Sequence, residues 1–460
     1  MPLEVIILAA GRGTRMHSDL PKVLHPVGGK PMLSHVLGTA LSLEPIRIHV
    51  VIGHGGESVR AAMEPLFATA ADRFNWVVQT EQNGTGHAVR LAMLDVDTKS
   101  RCLILYGDVP LVSQDDLHSL CRAEAALAIL TASPSDPSGL GRILRDGAGN
   151  ITGIVEQRDA SPGQLAIGEI NTGILLGSAT DLARWLNGID RGNMQGEYYL
   201  TDVVSLATAD GETVHGETAQ DPDRFLGINS RGELAMAERT FQRLAAGALM
   251  EAGVTLMDPA RIDIRGETRF GRDCVVDVNV VLEGVVEVGD GVNIGPGCVI
   301  RDARIGNHCR IHPHSVLENA ELGNHCQVGP FARLRPDSRL GDHVRVGNFV
   351  EVKNSELAEG SKANHLAYIG DSTLGRNTNF GAGAITCNYD GARKHRTVIG
   401  DDVFVGSDSQ LVAPVRIADG VTIGAGTTVT RDVDQPALVV SRARQVSYPG
   451  WKRPTRKPDR

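Results

Sequence analysis

Large rings are scarce in this chain: Phe, Trp and Tyr make up 4% of 460 residues. That argues against a core built on aromatic packing. It suggests small and β-branched residues stacked in regular layers, with 53 Gly available to turn the backbone. Nowhere does the sequence hold the roughly 18 consecutive apolar residues of a membrane span. The opening run Val5–Ala10 is too short for the core of a secretory signal and lacks a basic leader. No CxxC occurs, and the seven Cys (102, 121, 274, 298, 309, 326 and 387) are odd in number, which argues against both a disulfide framework and a zinc site. Basic charge is lacking too. The net charge of −9 leaves no overall field to attract nucleic acid, although a local site could still hold a nucleotide. Together these absences describe a soluble, cytoplasmic protein with reduced thiols. The tail after Trp451 departs from the acidic balance, with Lys452, Arg453, Arg456, Lys457 and Arg460. A solvated chain end is the plain expectation there; the sharper one is an arm that helps bind a phosphate-bearing ligand.

What is present follows two patterns. From Val5 to about Asn229, short apolar runs alternate with helical stretches. Val5–Ala10, Arg47–Ile52, Trp76–Gln79 and Cys102–Tyr106 read as strands, and Pro31–Leu43 and His87–Leu94 as helices. That alternation predicts a parallel sheet covered on both faces, with ligands beyond the carboxyl ends of its strands. From Arg231 to about Gly253, Leu234, Met236, Ala237, Phe241, Leu244 and Ala245 form a helical stripe, read as a connecting helix. Beyond it the period becomes six. Aliphatic residues recur at Val288, Ile294 and Ile300; at Ile305, Ile311 and Leu317; from Leu322 through Val328, Leu334, Leu340 and Val346 to Val352; and from Ile399 through Val405, Leu411, Ile417 and Ile423 to Val429. This is the hexapeptide signature of a β-helix, three hexads to a triangular coil. The register stumbles between Asn354 and Thr373 and between Thr386 and Val398. Insertions in solenoids map to loops and binding faces, so the chemistry of the second half is sought there. The expected fold is an α/β Rossmann-like domain (1–229), a helical linker (230–253) and a left-handed parallel β-helix of hexapeptide repeats with the basic tail (254–460).

In the first half, LAAGRGTRM places Gly11 and Gly13 just past a strand, where free amides can cradle a phosphate. It is not a Walker loop, because the GK[ST] ending is missing, and not a dinucleotide fingerprint, because the third Gly is absent. Lys22 follows in PKVLHPVGGKP, then a second Gly-rich loop in EQNGTGHA, then Asp108 past a buried strand in YGDVPL, where a carboxylate can hold Mg²⁺. In the second half, His365 stands where the hexads falter. An imidazole at such an interruption can serve as a proton acceptor. His308, His312, His314, His325 and His343 read as ordinary coil residues.

These motifs, with GLGRI, GIVEQRDA, EINTGI and NMQGEYYLTD, resemble the sugar-nucleotide pyrophosphorylases. With the hexapeptide half, the chain from Val5 to Trp451 is similar to the bifunctional N-acetylglucosamine-1-phosphate uridyltransferase and glucosamine-1-phosphate N-acetyltransferase family. The resemblance implies acetyl transfer from acetyl-CoA to glucosamine-1-phosphate. Mg²⁺-dependent uridyl transfer from UTP to N-acetylglucosamine-1-phosphate follows, giving UDP-N-acetylglucosamine for peptidoglycan and lipopolysaccharide. It implies that Leu8, Ala9, Ala10, Gly11 and Lys22 meet the nucleotide and that Gln79, Gly84 and Thr85 read its uracil. Tyr106, Gly107 and Asp108 line that site; Asp108 and Asn229 are the metal ligands. Gly141, Glu156 and Asn171 hold the acetylated sugar. His365 is the proton acceptor of the second site, where Arg335, Lys353, Tyr368 and Asn379 bind glucosamine-1-phosphate. Ala382, Asn388, Tyr389, Ser407, Ala425 and Arg442 contact acetyl-CoA. A homotrimer, no nucleic-acid partner and no membrane span are implied as well. Two alternatives stand beside this expectation. One is a nucleotidyltransferase whose β-helix serves only assembly, which would leave His365 and Lys353 without a purpose. The other is a non-catalytic subunit, which would have no need of Lys22, Asp108 and Asn229.

Overall fold

The computed structural model describes residues 1–441 and 444–454. The chain forms two compact units, Met1–Leu244 and the residues from Ala245 on.

The first unit is built on one sheet in the order Val214–Thr218, Leu127–Ala132, Ile170–Ser178, Arg101–Tyr106, Leu3–Ala9, Arg47–Ile52, Phe74–Val78. Strand alternation makes this a layered structure. Val5, Ile7 and Ala9 enter one buried cluster with Leu33, Val36 and Leu37 of the helix Met32–Ser42. Ile6, Leu8 and Ala10 face the other way, against Val89 and Ala92 of the helix Thr85–Ala92 and Leu182 and Leu186 of the helix Ala179–Gly188. Leu3–Ala9 pairs in parallel with Arg47–Ile52 on one side and Arg101–Tyr106 on the other. The chain order reverses there, and Gly11 and Asp108 lie just past the carboxyl ends of these strands. The sheet is not wholly parallel, as the alternation predicted. Ile170–Ser178 runs antiparallel to both neighbours, and Arg142–Arg145 with Ile151–Val155 forms a hairpin feeding into it. A hairpin returns the chain to the opposite end of the sheet, so the next strand must run backwards.

A buried polar network braces this sheet. Glu4 accepts from Ser100 Oγ at 2.8 Å and Asp97 N at 3.0 Å, and its other oxygen lies 2.7 Å from His49 Nε2. The Asn75 amide donates to His49 Nδ1 at 3.0 Å, so the imidazole proton sits on Nε2 and points at Glu4. Removing the Glu4 carboxylate strands the buried donors of His49 and Ser100, at about 1–3 kcal/mol each. Glu4→Ala is therefore expected to lower stability by about 2–6 kcal/mol, read from urea unfolding.

The helix Arg231–Glu251 is not a free linker. Leu234, Ala237 and Phe241 pack on the first unit's cluster of Val27, Met32, Leu111 and Ile228, and Phe241 covers Gly28 so closely that a Cβ there would overlap its ring. The boundary between units falls inside the helix, after Leu244.

The second unit is a left-handed parallel β-helix of short strands. The periodic positions are its interior: Ile294, Ile311, Val328, Val346, Val405 and Ile423 are all at or below 1% exposure. Corners are tied by side chains reaching to the next coil. Asp290 accepts from Arg272 N across 18 residues, Asn307 from Asp290 N across 17, and Asp401 from Arg376 N across 25. Of the two expected interruptions only the second is an insertion. Between Asn354 and Thr373 the coil continues, with Leu357, Ala363 and Ile369 in the interior and Ala363 paired to Val346. The pattern faltered there because that coil is one residue short of three hexads and an alanine fills an aliphatic position. The extra residues of the second interruption form a loop between Cys387 and Thr397.

Two candidate active sites

The first site gathers residues from three strand ends. A cavity of about 240 Å³ is lined by Leu8, Ala9, Ala10, Gly11, Lys22, Gln79, Gly84, Thr85, Tyr106 and Asp108, all expected there. Gln82 and Glu197 join them. Gln82, in the second Gly-rich loop, donates to Ala10 O at 2.7 Å and closes one motif onto the other. Gly84 has φ +102, and a Cβ there would press within 2.6 Å of Tyr198 O. Gly107 donates to Leu8 O at 2.9 Å, which carries the backbone on to Asp108.

Lys22 Nζ is ion-paired to Asp108 and donates to Asn229 Oδ1 at 2.9 Å. Asn229 owes its position to the helix start beside it. Glu233 accepts from Asn229 N at 2.7 Å and Ser230 Oγ at 3.0 Å, while Ser230 Oγ receives Glu233 N. Gly141, Glu156 and Asn171 meet at the neighbouring hairpin. Asn171 N donates to Gly141 O at 2.9 Å, and a Cβ on Gly141 would lie 3.4 Å from the Glu156 carboxylate. Burial holds the Glu156 carboxyl above its usual value. Burial and the nearby Glu156 charge also push the Tyr106 phenol up.

The second site lies along one corner of the β-helix. His365 ends the strand Lys362–His365 and is in register with Asn348 one coil earlier. The two side chains meet: His365 Nδ1 is 2.6 Å from Asn348 Oδ1. An amide oxygen only accepts, so Nδ1 carries the proton and Nε2 keeps its lone pair. Continuing the register, Ala382, Ser407 and Ala425 follow His365 one per coil. Past the imidazole the column is small, which leaves room for an extended ligand.

Around the corner stand the cations. Arg335 donates to Glu351 at 2.8 Å. Lys353 and Lys394 bring their ammoniums together, and that contact pulls the Lys353 pKa below its ordinary value. Tyr368 lies beside them, its hydroxyl 3.4 Å from the Asn388 amide. Asn388 is a buried strut: it also donates to Asp371, which receives Asn354 as well. Asn379 stands apart from this group, on the sheet that carries His365 and in register with Lys362. Tyr389 is exposed in the inserted loop, bridged to Lys394. Arg442 and the tail from 455 lie outside the described residues.

Asn348 and Lys394 were missed from the sequence. Asn348 was within reach by counting one 17-residue coil back from His365. Lys394 was signalled only by the run Arg393–Arg396 inside the second interruption. All seven cysteines are free. Among the described residues no helix is long and apolar enough to cross a membrane, and no cluster of three or more His, Cys, Asp or Glu could hold a metal.

Family models match in the same order. The MobA-like NTP transferase domain covers residues 5–148, the GMPPB C-terminal domain 261–347, and the bacterial transferase hexapeptide (six repeats) 396–431. Over 459 residues the chain is 53% identical to the bifunctional protein GlmU of Alkalilimnicola ehrlichii, covering 100% of this chain and 98% of that one. The chain belongs to the GlmU family. Two further GlmU proteins agree: that of Aromatoleum aromaticum at 54% over 460 residues, 99% of each chain, and that of an Azoarcus species at 53% over 456 residues, 99% of this chain and 100% of that one. As a GlmU-family member it is a bifunctional enzyme, a uridylyltransferase and an acetyltransferase in one chain.

Proposed function

We propose that the residues gathered at these two sites carry the two half-reactions by which this family makes UDP-N-acetylglucosamine. In the first unit, a phosphate oxygen of N-acetylglucosamine-1-phosphate attacks the α-phosphorus of UTP in line, and pyrophosphate leaves. Attacker and target are both anionic, so no protein nucleophile is needed; holding them aligned and neutralising charge carry the rate. Amides at Gly11 and Gly13 and the Lys22 ammonium face the phosphates. Gln79, Gly84 and Thr85 hold the base, and Gly141, Glu156 and Asn171 hold the sugar. A carboxylate and an amide carbonyl converge on one cation position at Asp108 and Asn229, a hard-oxygen set that suits Mg²⁺. Bound there, Mg²⁺ supplies charge neutralisation to the reacting phosphoryl group.

In the second unit, His365 Nε2 takes a proton from the amine of glucosamine-1-phosphate as the amine attacks the thioester carbonyl of acetyl-CoA, and coenzyme A leaves as the thiol. Asn348 keeps the imidazole in the accepting tautomer. The Arg335, Lys353 and Lys394 cations receive the sugar phosphate, and the small column of Ala382, Ser407 and Ala425 takes the coenzyme arm. The observation that carries this half is the exposed His365 imidazole held by Asn348 at Nδ1. Two ammoniums in contact repel, and an anion between them relieves that. Thiol release from acetyl-CoA with glucosamine-1-phosphate, followed by pyrophosphate release on adding UTP, is the test. Pyrophosphate without thiol release would leave the β-helix an assembly element only. Both co-substrates are cytoplasmic metabolites, which supports that location.

Trimer formation belongs to the same proposal. Phe331, Phe349 and Leu366 stack on the corner one residue beyond the Asn348–His365 column. All three have left-handed backbones (φ 54, 55 and 49) and are 49%, 57% and 61% exposed. A bulky residue in that conformation costs about 1–2 kcal/mol, and three in a row on the surface are explained by burial under a second copy of the chain. A neighbour docked there closes over His365. Phe349→Asp is expected to shift the mass from three chains toward one by light scattering, with acetyl transfer lost alongside.

A further inference from the structure

We propose that Lys22 is a placeholder cation. Without nucleotide its ammonium fills the divalent-ion position between Asp108 and Asn229, and the ion gains that position only when nucleotide phosphates draw Lys22 away. This rests on Asp108 and Asn229 being the ion's ligands, and adds an order to their filling.

The geometry carries it. Lys22 Nζ engages both donor oxygens at once, ion-paired to Asp108 and 2.9 Å from Asn229 Oδ1. The pair is sheltered, its side chains 9% and 16% exposed. The donors are held independently of Lys22. Ile228 N donates to Asp108 O at 3.0 Å, and the Ser230–Glu233 cap fixes Asn229. The lysine stem is held as well: it runs beneath Gly13, where a Cβ would come within 2.7 Å of Lys22 Cβ. Its far end lies beside the first Gly-rich loop. A Cβ on Gly11 would lie 3.9 Å from both Lys22 Cε and Nζ, so the ammonium already sits beside the loop that faces the phosphates. A rotation about the last side-chain bonds takes it from carboxylate to phosphate.

The device has a physical purpose. An empty position would leave the Asp108 carboxylate partly buried and unpaired, which is costly. A lysine there neutralises it, but an ammonium that contacts both Asp108 and Asn229 Oδ1 fills the point where a divalent ion would meet the two oxygens, and repels it by charge. The ion is therefore excluded until a polyanion offers Lys22 another partner, and it enters with the nucleotide.

The test is a titration of the full-length chain with Mn²⁺ in the absence of nucleotide. A site available in one molecule in ten binds about tenfold more weakly than a free one. Lys22→Met, with Lys22→Gln as a polar alternative, is expected to bind Mn²⁺ about tenfold or more tighter than the unaltered chain. Adding Asp108→Asn to Lys22→Met should remove the gain. Arg15→Met changes the net charge equally without touching the pair, and should shift affinity by less than about twofold. Equal affinities of the unaltered chain and both Lys22 variants overturn the proposal, as does an equal gain from Arg15→Met. If pyrophosphate release from UTP runs undiminished with no divalent ion, the ligand assignment itself falls, whatever the Mn²⁺ titrations show.

Discussion

Asp108→Ala is expected to abolish uridyl transfer and leave acetyl transfer at its full rate. Asp108 stands two residues past the end of the strand Arg101–Tyr106, and its backbone is pinned by Ile228 N. Its carboxylate is the negative charge paired with Lys22 at the point where Lys22 and Asn229 converge. Truncation removes both the counter-charge of Lys22 and the anionic ligand of the divalent ion. Loss of a single preorganised charge-stabilising group costs about 10²–10³ in rate, and the ion contributes several kcal/mol more, so a fall of about 10³-fold or greater is expected. Pyrophosphate release with UTP and N-acetylglucosamine-1-phosphate measures it. Thiol release with acetyl-CoA should not change, because His365 and its partners belong to the other compact unit. Asp108→Asn keeps the side-chain volume and removes the charge. If it too is inactive while the chain stays folded, charge rather than packing is responsible. Undiminished UDP-sugar synthesis by either variant would count against the assignment.

His365→Ala should produce the mirror image. A positioned base contributes about 10²- to 10⁴-fold, so thiol release should fall by that factor without vanishing, while pyrophosphate release is unchanged. His365 is exposed at a strand end and fills no part of the core, so a folding defect is not the expected cause. Asn348→Ala should cost less than loss of the imidazole. It leaves the base present but frees Nδ1, so the ring samples the tautomer that cannot accept at Nε2. A rate equal to that of the unaltered chain in His365→Ala would remove the imidazole from the chemistry.

Much of this molecule is written in local pattern. The unbroken apolar run Val5–Ala10 specifies a strand buried on both faces, and the structure sends Val5 and Ile7 to one cluster and Ile6 and Leu8 to the other. The recurrence from Leu322 to Val352 specifies a β-helix, and each of those residues lines the interior. The Gly-rich loops could be placed because glycine at a strand end is needed where the backbone must pass close to its surroundings, as Gly84 does beside Tyr198.

The rest was settled by contacts between residues far apart in sequence. Periodicity tells a residue which face it occupies and is silent on its neighbour in the next coil. That neighbour depends on whether a coil takes 17 residues, as from Asp290 to Asn307, or 25, as from Arg376 to Asp401. The loop between Cys387 and Thr397 makes the longer coil, and Ala363, standing where a larger aliphatic residue recurs elsewhere, hid a shorter one. So the amino-acid order by itself determined two folding patterns, the two families of motif and most of the residues at each site. Only the tertiary structure decided that Ile170–Ser178 runs backwards, that Lys394 meets Lys353 and that Lys22 occupies a cation position. Each of these is a meeting of groups from separate strands or coils, whose energy comes from charge and hydrogen bonding at contact distance, and no local pattern encodes which distant group arrives.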